Sequence, residues 1–130
     1  MILADTSAWV EFLRGTGSAT DELLDQLLGE PGSLCTTEVI VMEVLAGARD
    51  ATHRERLRRL LAGCELTPIE GLRDYEHAAD LYQTCREAGE TVRAVTDCLI
   101  AAVAIRTGNA ILHVDSDFHA LARHAPLRLA

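Results

Sequence analysis

A chain of 130 residues that is 48% hydrophobic can bury one core and is the size of one domain. Its net charge of −8 excludes a protein that coats nucleic acid without specificity, because such a protein must neutralise phosphates. The sequence contains no apolar run of about 18 residues, which argues against a membrane span, and its opening Met-Ile-Leu-Ala-Asp lacks the basic segment and long apolar stretch of a secretory signal.

Cys35, Cys64, Cys85 and Cys98 form no Cys-x-x-Cys pair and fall in apolar or helical stretches. They read as reduced, structural residues, which suits a cytoplasmic location. The chain has no lysine; all its basic side chains other than histidine are arginines. That removes a P-loop, whose lysine meets the β- and γ-phosphates. It also weighs against haloacid-dehalogenase-like phosphatases and phospho-receiver domains, which need a lysine near the acid after their first strand. An acidic enzyme can still act on RNA where bound cations neutralise its charge.

In chain order, residues 1–4 read as a buried strand ending at Asp5. Ser7 is placed to cap a helix running to about Arg14, with Trp9, Phe12 and Leu13 on one face. A turn at 15–18 leads to a second amphipathic helix over 18–28, broken by Pro31-Gly32. Residues 34–36 are a second strand. Thr37 begins a helix to Ala46, closed by Gly47. Asp50 or Thr52 starts the next, Thr52 and Glu55 having the spacing of a capping box, and it ends near Gly63. Residues 65–69 form a short strand, placed at an edge by Pro68. A long helix covers 72–88. Another runs from Thr96 to Gly108-Asn109, followed by a strand over 110–114, a turn at 115–118 into a last short helix, and a final strand at 127–129. This alternation predicts an α/β fold: one domain with a central, mainly parallel sheet of four to five strands flanked by helices. Such sheets bind ligands beyond the carboxyl ends of their strands, where Asp5 and Asp115 fall.

Most acids lie on polar helix faces and read as solvated surface. Glu43 is an exception. It sits in Val39-Ile40-Val41-Met42-Glu43-Val44-Leu45-Ala46, a helix apolar all round and therefore expected to be buried. A buried carboxylate needs a charge partner or a cation. Asp97 opens a second such stretch, Cys98 to Ile105. Each acid has an ordinary explanation taken alone: an arginine partner for Glu43, helix capping for Asp5 and Asp97, a turn for Asp115-Ser116-Asp117. Together, four apolar segments each deliver a carboxylate at or near the end of a buried element. Oxygen-only ligands of this kind point to Mg²⁺ or Mn²⁺. The five histidines show no zinc-site spacing.

Asp5-Thr6-Ser7 after the first strand, Glu43, Asp97 before Cys-Leu-Ile-Ala-Ala, and Asp115-Ser116-Asp117-Phe118 after a strand resemble the PIN-domain nucleases. The length, the helix Trp9-Val10-Glu11-Phe12-Leu13-Arg14 and the segment Gly89-Glu90-Thr91-Val92-Arg93 resemble in particular the VapC toxins of bacterial toxin–antitoxin pairs. One position departs: many members carry threonine two residues before the first acid of the last motif, where this chain has His113.

The resemblance implies a metal-dependent endoribonuclease that cuts structured RNA, tRNA or ribosomal RNA, with Mg²⁺ or Mn²⁺. By position, Asp5, Glu43, Asp97 and Asp115 are the acidic quartet and Asp117 an auxiliary acid, with Thr6 or Ser7 steadying Asp5 or a metal-held water. In a two-metal scheme, with ions about 3.5–4 Å apart, Asp5 and Asp97 hold one ion, Asp115 and Asp117 contribute to the other, and Glu43 holds a water or accepts its proton. Arg93 is the single candidate for a contact to RNA phosphate. The arginine-rich helix around His53, Arg54, Arg56, Arg58 and Arg59 reads either as a solvated face or as a guide for RNA. The face of Trp9, Phe12 and Leu13 is plain core or, by the resemblance, a groove for a VapB-type antitoxin; a homodimer is also implied. Two other classes share part of the pattern: a metal-dependent phosphatase acting on small phosphoesters, and a non-catalytic PIN-like module that binds partners. The complete acid set argues against the second.

Overall fold

Short apolar runs bounded by turns give strands too brief to stand alone, and the helices between them set how they pair. The computed structural model describes residues 1–130. Its strands are β1 (Ile2–Ala4), β2 (Leu34–Thr36), β3 (Glu65–Leu66) and β4 (Ala110–Leu112), in the sheet order β3-β2-β1-β4. All neighbours run parallel, in registers such as Leu3 opposite Cys35 and opposite Ile111. Parallel neighbours need crossovers. Here each crossover holds two helices: α1 (Thr6–Arg14) and α2 (Ala19–Leu28), α3 (Glu38–Ala46) and α4 (Ala51–Ala62), then α5 (Gly71–Glu87) and α6 (Val95–Thr107). α7 (Ser116–His124) follows β4. None of these helices is long and apolar enough to cross a membrane.

The core is built around α6. Every residue from Asp97 to Ala104 is buried, and the alanines at 101, 102 and 104 let neighbouring elements approach closely. Leu3, Ala4, Ile111 and Leu112 from β1 and β4, and Phe118 and Leu121 from α7, join the same cluster. α1 and α6 end on Gly15 and Gly108, whose φ of 61° and 71° lie in the left-handed region that glycine adopts without strain.

Several boundaries differ from the sequence expectations. α1 is capped by Asp5, not Ser7, whose backbone N–H donates to the Asp5 carboxylate. Asp50, not Thr52, caps α4, accepting the His53 N–H at 2.7 Å, and Thr52 lies within the helix. β3 stops at Leu66, two residues before Pro68, which has no N–H to extend a ladder. β4 ends at Leu112, two residues short of Val114. The expected last strand reduces to a single parallel bridge between Ile111 and Leu129. α3 is not buried all round: Val39, Ile40 and Val44 face inward, but Met42 is 60% exposed.

One buried acid belongs to the fold and not to a site. Asp74 starts the inward stripe Asp74, Ala78, Leu81, Cys85 of α5 and is 1% exposed. Arg106 of α6 meets both its oxygens, with Nε at 3.0 Å and Nη2 at 2.9 Å, and Nη2 also donates to the Pro68 carbonyl at 2.7 Å. The Glu70 N–H donates to the same carboxylate at 2.7 Å. Together these bonds hold the β3–α5 connection against α6, and Arg106 keeps the Asp74 carboxyl below its ordinary range. Asp74→Ala leaves a mostly buried guanidinium with only Glu70 Oε1 at 3.3 Å and the Pro68 carbonyl, so it is expected to cost about 2–3 kcal/mol in urea denaturation. A loss below about 1 kcal/mol, the range of surface pairs, would show that the pair does not secure this end of α5.

Candidate active site and metal centre

β1 and β4 lie side by side, so the residues that follow them emerge together at the carboxyl edge of the sheet. The Asp5 N–H continues the ladder by donating to the Leu112 carbonyl at 2.9 Å. Asp5 is buried, and its Oδ2 accepts from the Ser7 backbone N–H at 3.0 Å and from Ser7 Oγ at 2.6 Å. Ser7 Oγ in turn accepts the Val114 N–H at 3.1 Å. One hydroxyl therefore ties Asp5 to the segment that carries the last two acids.

That segment turns sharply into α7. Asp115 caps the helix: its Oδ1 accepts the Asp117 N–H at 2.9 Å and Arg93 Nη2 at 3.1 Å. His113 Nδ1 accepts the Asp115 N–H at 3.0 Å, while its ring lies 5.2 Å from Phe118 and 4.8 Å from His119. Asp117 is buried and held by backbone. The Arg93 N–H reaches both its oxygens at 3.1 Å and the Ala94 N–H reaches Oδ2 at 3.1 Å. These bonds fasten the loop before α6 to the start of α7.

Asp97 sits in the first turn of α6, 6% exposed, and its Oδ2 is sealed from solvent with no hydrogen-bond partner. Carboxylate oxygens of Asp97, Asp115 and Asp117 lie within 4.8 Å of one another. Glu43 lies outside this group, near enough to Asp5 for the two charges to interact, half-buried, with Oε1 accepting from Thr6 Oγ1 at 2.9 Å.

The titration of these groups reflects crowding. Burial, then the hydrogen bond with Asp117 and the charges of Asp5, Asp115 and Asp117, push the Asp97 carboxyl up to about 9. Burial also raises Asp5, against the Ser7 bonds, and raises Glu43, against the Thr6 bond. Burial works to raise Asp117 too, but the bond from Asp97, the two backbone N–H groups and Arg93 outweigh it and hold the carboxyl low. Without a cation, then, Asp97 favours its protonated form. Arg93, 71% exposed at the mouth, places its guanidinium 3.1 Å from Asp115 and 3.6 Å from Asp117.

A carboxyl pushed toward its protonated form, a guanidinium on two of the acids and an orphaned Asp97 oxygen all mark a shortage of positive charge. The donor set is oxygen-only and anionic, and no histidine or cysteine joins it. These residues fit a hard divalent cation such as Mg²⁺ or Mn²⁺.

Of the sequence-predicted acids, Asp97, Asp115 and Asp117 lie within 4.8 Å of one another, Asp5 is near enough for its charge to act on Asp97, and Glu43 is not in that cluster. Glu43, expected to be buried, is half-exposed, because α3 turns the face of Met42 and Glu43 outward. Asp97, for which capping offered a sufficient explanation, is buried and does not cap: Ala94 holds the N-cap position, with no side-chain bond. Ser7 serves Asp5, whereas Thr6 serves Glu43. On α1, Trp9 is buried, Phe12 packs edge-on to it at 6.1 Å, and Leu13 is exposed. Sequence reading missed two positioning contacts, His113 to the Asp115 N–H and Ser7 Oγ to the Val114 N–H. The first had a local signal in the His113-x-Asp115 spacing; the second joins residues 107 positions apart and had none.

Comparison with known proteins agrees with this geometry. Residues 2–124 match the PIN domain family. The chain is 45% identical to the ribonuclease VapC11 of Mycobacterium tuberculosis, over 100% of this chain and 98% of that protein, and equally to a VapC ribonuclease of Mycobacterium bovis. Among solved structures, VapBC2 from Rickettsia felis bound to a promoter DNA fragment superposes with a TM-score of 0.74 at 16% identity, covering 100% of this chain and 98% of that one. VapBC-5 from Mycobacterium tuberculosis gives 0.65 at 26% identity, covering 98% and 94%. Fold, acid placement and full-length similarity converge: the chain belongs to the PIN-domain family and, within it, to the VapC ribonucleases.

Proposed function

We propose that this protein is a divalent-metal-dependent endoribonuclease, the toxin of a toxin–antitoxin pair, that cuts structured RNA such as tRNA or ribosomal RNA. The observation that carries the chemistry is the gathering of Asp97, Asp115 and Asp117 within 4.8 Å, with one Asp97 oxygen unpartnered. The proposed ligands of Mg²⁺ or Mn²⁺ are these three acids and Asp5. When bound, such an ion neutralises phosphate charge and makes water a better nucleophile at neutral pH.

The chain's own residues supply the rest. Ser7 fixes the Asp5 carboxylate, and the Arg93 and Ala94 N–H groups fix Asp117, so the acids are preorganised before substrate arrives. Glu43 is held by Thr6 through Oε1 only, and its carboxyl is raised above its usual range. Its Oε2 is the proposed acceptor of the proton from the attacking water. The water oxygen bonds to phosphorus as the P–O3′ bond breaks, leaving a 3′-hydroxyl, its proton drawn from solvent, and a 5′-phosphate. Arg93 exchanges its contact with Asp115 for a phosphate oxygen of the RNA.

Inhibition by a VapB-type antitoxin fits the exposed apolar edge of α1 at Val10 and Leu13, which carries on from buried Trp9 and half-buried Phe12. Exposed Met42 on α3 offers an apolar surface for a homodimer. The proposed place of action is the cytoplasm, where the RNA is.

The purified protein should cut structured RNA with Mn²⁺ or Mg²⁺, stop in EDTA, and leave p-nitrophenyl phosphate intact. Asp97→Asn should lower the cleavage rate by about 100-fold or more, as loss of a preorganised electrostatic group does; cleavage at the parental rate would refute the scheme. A second prediction concerns pH. Because the folded, metal-free protein favours the protonated form of Asp97, the stability from that proton is complete below about pH 4 and is lost as pH climbs toward about 9. The melting temperature in EDTA should therefore fall across that range, and Mn²⁺ should restore it. Asp97→Asn should flatten the slope and stabilise the metal-free protein at pH 8 by about 1–3 kcal/mol. A metal-free stability that does not vary between pH 5 and pH 9 would contradict the raised Asp97 carboxyl.

A further inference from the structure

The segment between α5 and α6 does more than join two helices. α5 closes on a turn at Gly89, whose φ of 80° is left-handed, and the Glu90 N–H donates back to the Cys85 carbonyl at 2.9 Å. From there residues 90–94 form neither helix nor strand. They run along α7 as a strap fastened at both ends. At one end the Arg93 and Ala94 N–H groups hold Asp117, in the first turn of α7. At the other, Glu90 meets the last turn of α7. Its Oε1 accepts from Arg123 Nε at 2.9 Å and from Arg123 Nη2, and its Oε2 accepts from His124 Nε2. Between the fastenings Val92 is 2% exposed, so its side chain is set in the core.

Lengths make this arrangement tight. Asp117 and His124 stand seven residues apart on α7, about 10 Å along a helix axis. The chain from Glu90 to Arg93 covers about 10 Å at most, even fully extended. The backbone between the fastenings therefore has little slack, and its place at one end depends on its hold at the other. The Asp117 end is under load, because Asp117 lies within 4.8 Å of Asp97 and Asp115, and carboxylates so close repel one another. The Glu90 end resists that load. Glu90 divides its oxygens between two side chains of one helical turn, and a carboxylate held by several charged or polar partners is fixed better than one in a lone surface pair.

We propose that Glu90 is a positioning residue of the metal centre: clamped to Arg123 and His124, it keeps the strap drawn along α7, so that the Arg93 and Ala94 N–H groups stay on Asp117. None of the bonds that Glu90 makes goes to an acid of the site. The inference rests on the metal-dependent ribonuclease reading and adds to it that ion affinity is set in part from the far end of α7. Loss of a group that orients a metal-binding carboxylate commonly weakens ion affinity about 10–100-fold. Glu90 acts one step further out, through backbone, so the low end of that range applies.

The test uses the full-length, isotope-labelled protein and two measurements that need no RNA. Amide exchange by NMR in the metal-free protein reports the strap, and counting free Mn²⁺ by EPR reports ion affinity. Glu90→Ala should speed exchange of the Arg93 and Ala94 N–H groups about tenfold or more, while Ile100 and Val103 in the interior of α6 keep their parental rates. Its Mn²⁺ dissociation constant should rise about tenfold. Glu90→Arg and Arg123→Glu should each do the same, and the two combined, which restore the pair in reverse, should recover most of both losses. Glu30→Ala removes an exposed acid that precedes β2, at the opposite edge of the sheet from the site, and should change neither measurement. Parental exchange or parental Mn²⁺ affinity in Glu90→Ala overturns the proposal. So does equal acceleration at Ile100 and Val103, which marks a general loosening of the fold, and so does a reversed pair that recovers neither loss. A parental protein that binds no Mn²⁺ counts instead against the metal reading, and the exchange rates then judge the strap alone.

Discussion

Mutual repulsion among carboxylates at the carboxyl edge of the sheet is the constraint on which the rest of this structure depends. Asp97, Asp115 and Asp117 crowd within 4.8 Å, with Asp5 close enough to raise Asp97 further. The surrounding fold answers with fixed positive ends of dipoles. Asp5 caps α1 and Asp115 caps α7, so each carboxylate faces a helix N-terminus. Asp117 takes two peptide N–H groups from the loop before α6, and Arg93 lies over the mouth. What these donors leave uncompensated is the proton on Asp97 and its unpartnered oxygen, and that residue of unmet charge is where a divalent ion fits.

The same chain contains a buried acid with no such deficit. Asp74 is more enclosed than Asp97, yet Arg106 and the Glu70 N–H satisfy it and its carboxyl is held low. Depth alone therefore does not mark a site. The state of the partners does: both Asp74 oxygens meet Arg106, whereas Asp97 keeps an oxygen with no partner.

This contrast explains what the sequence made legible. The alternation of elements and the acids after β1 and β4 were readable, because strand ends and apolar runs are local signals. The depth of each acid was not. A helix with an apolar pattern on every face could bury any side of itself, and only packing decided that α3 turns Met42 and Glu43 outward while α6 is enclosed from Asp97 to Ala104. Asp74 escaped notice for a related reason: it begins an inward stripe on an otherwise polar helix, and its partner is 32 residues away. Short strands were overestimated where a run stayed apolar after its pairing partner had ended, as at His113-Val114.

The hold on Asp117 bears on how such a protein can change over generations. The groups that grip it are peptide N–H donors of residues 93 and 94, present whatever side chains those positions carry. Proline alone would remove a donor. Mutation can therefore replace Arg93 or Ala94, and with them the surface offered to an incoming polymer, while the acid beneath stays seated. Recognition at this mouth is free to drift between lineages, and the hydrolytic centre need not be rebuilt each time it does.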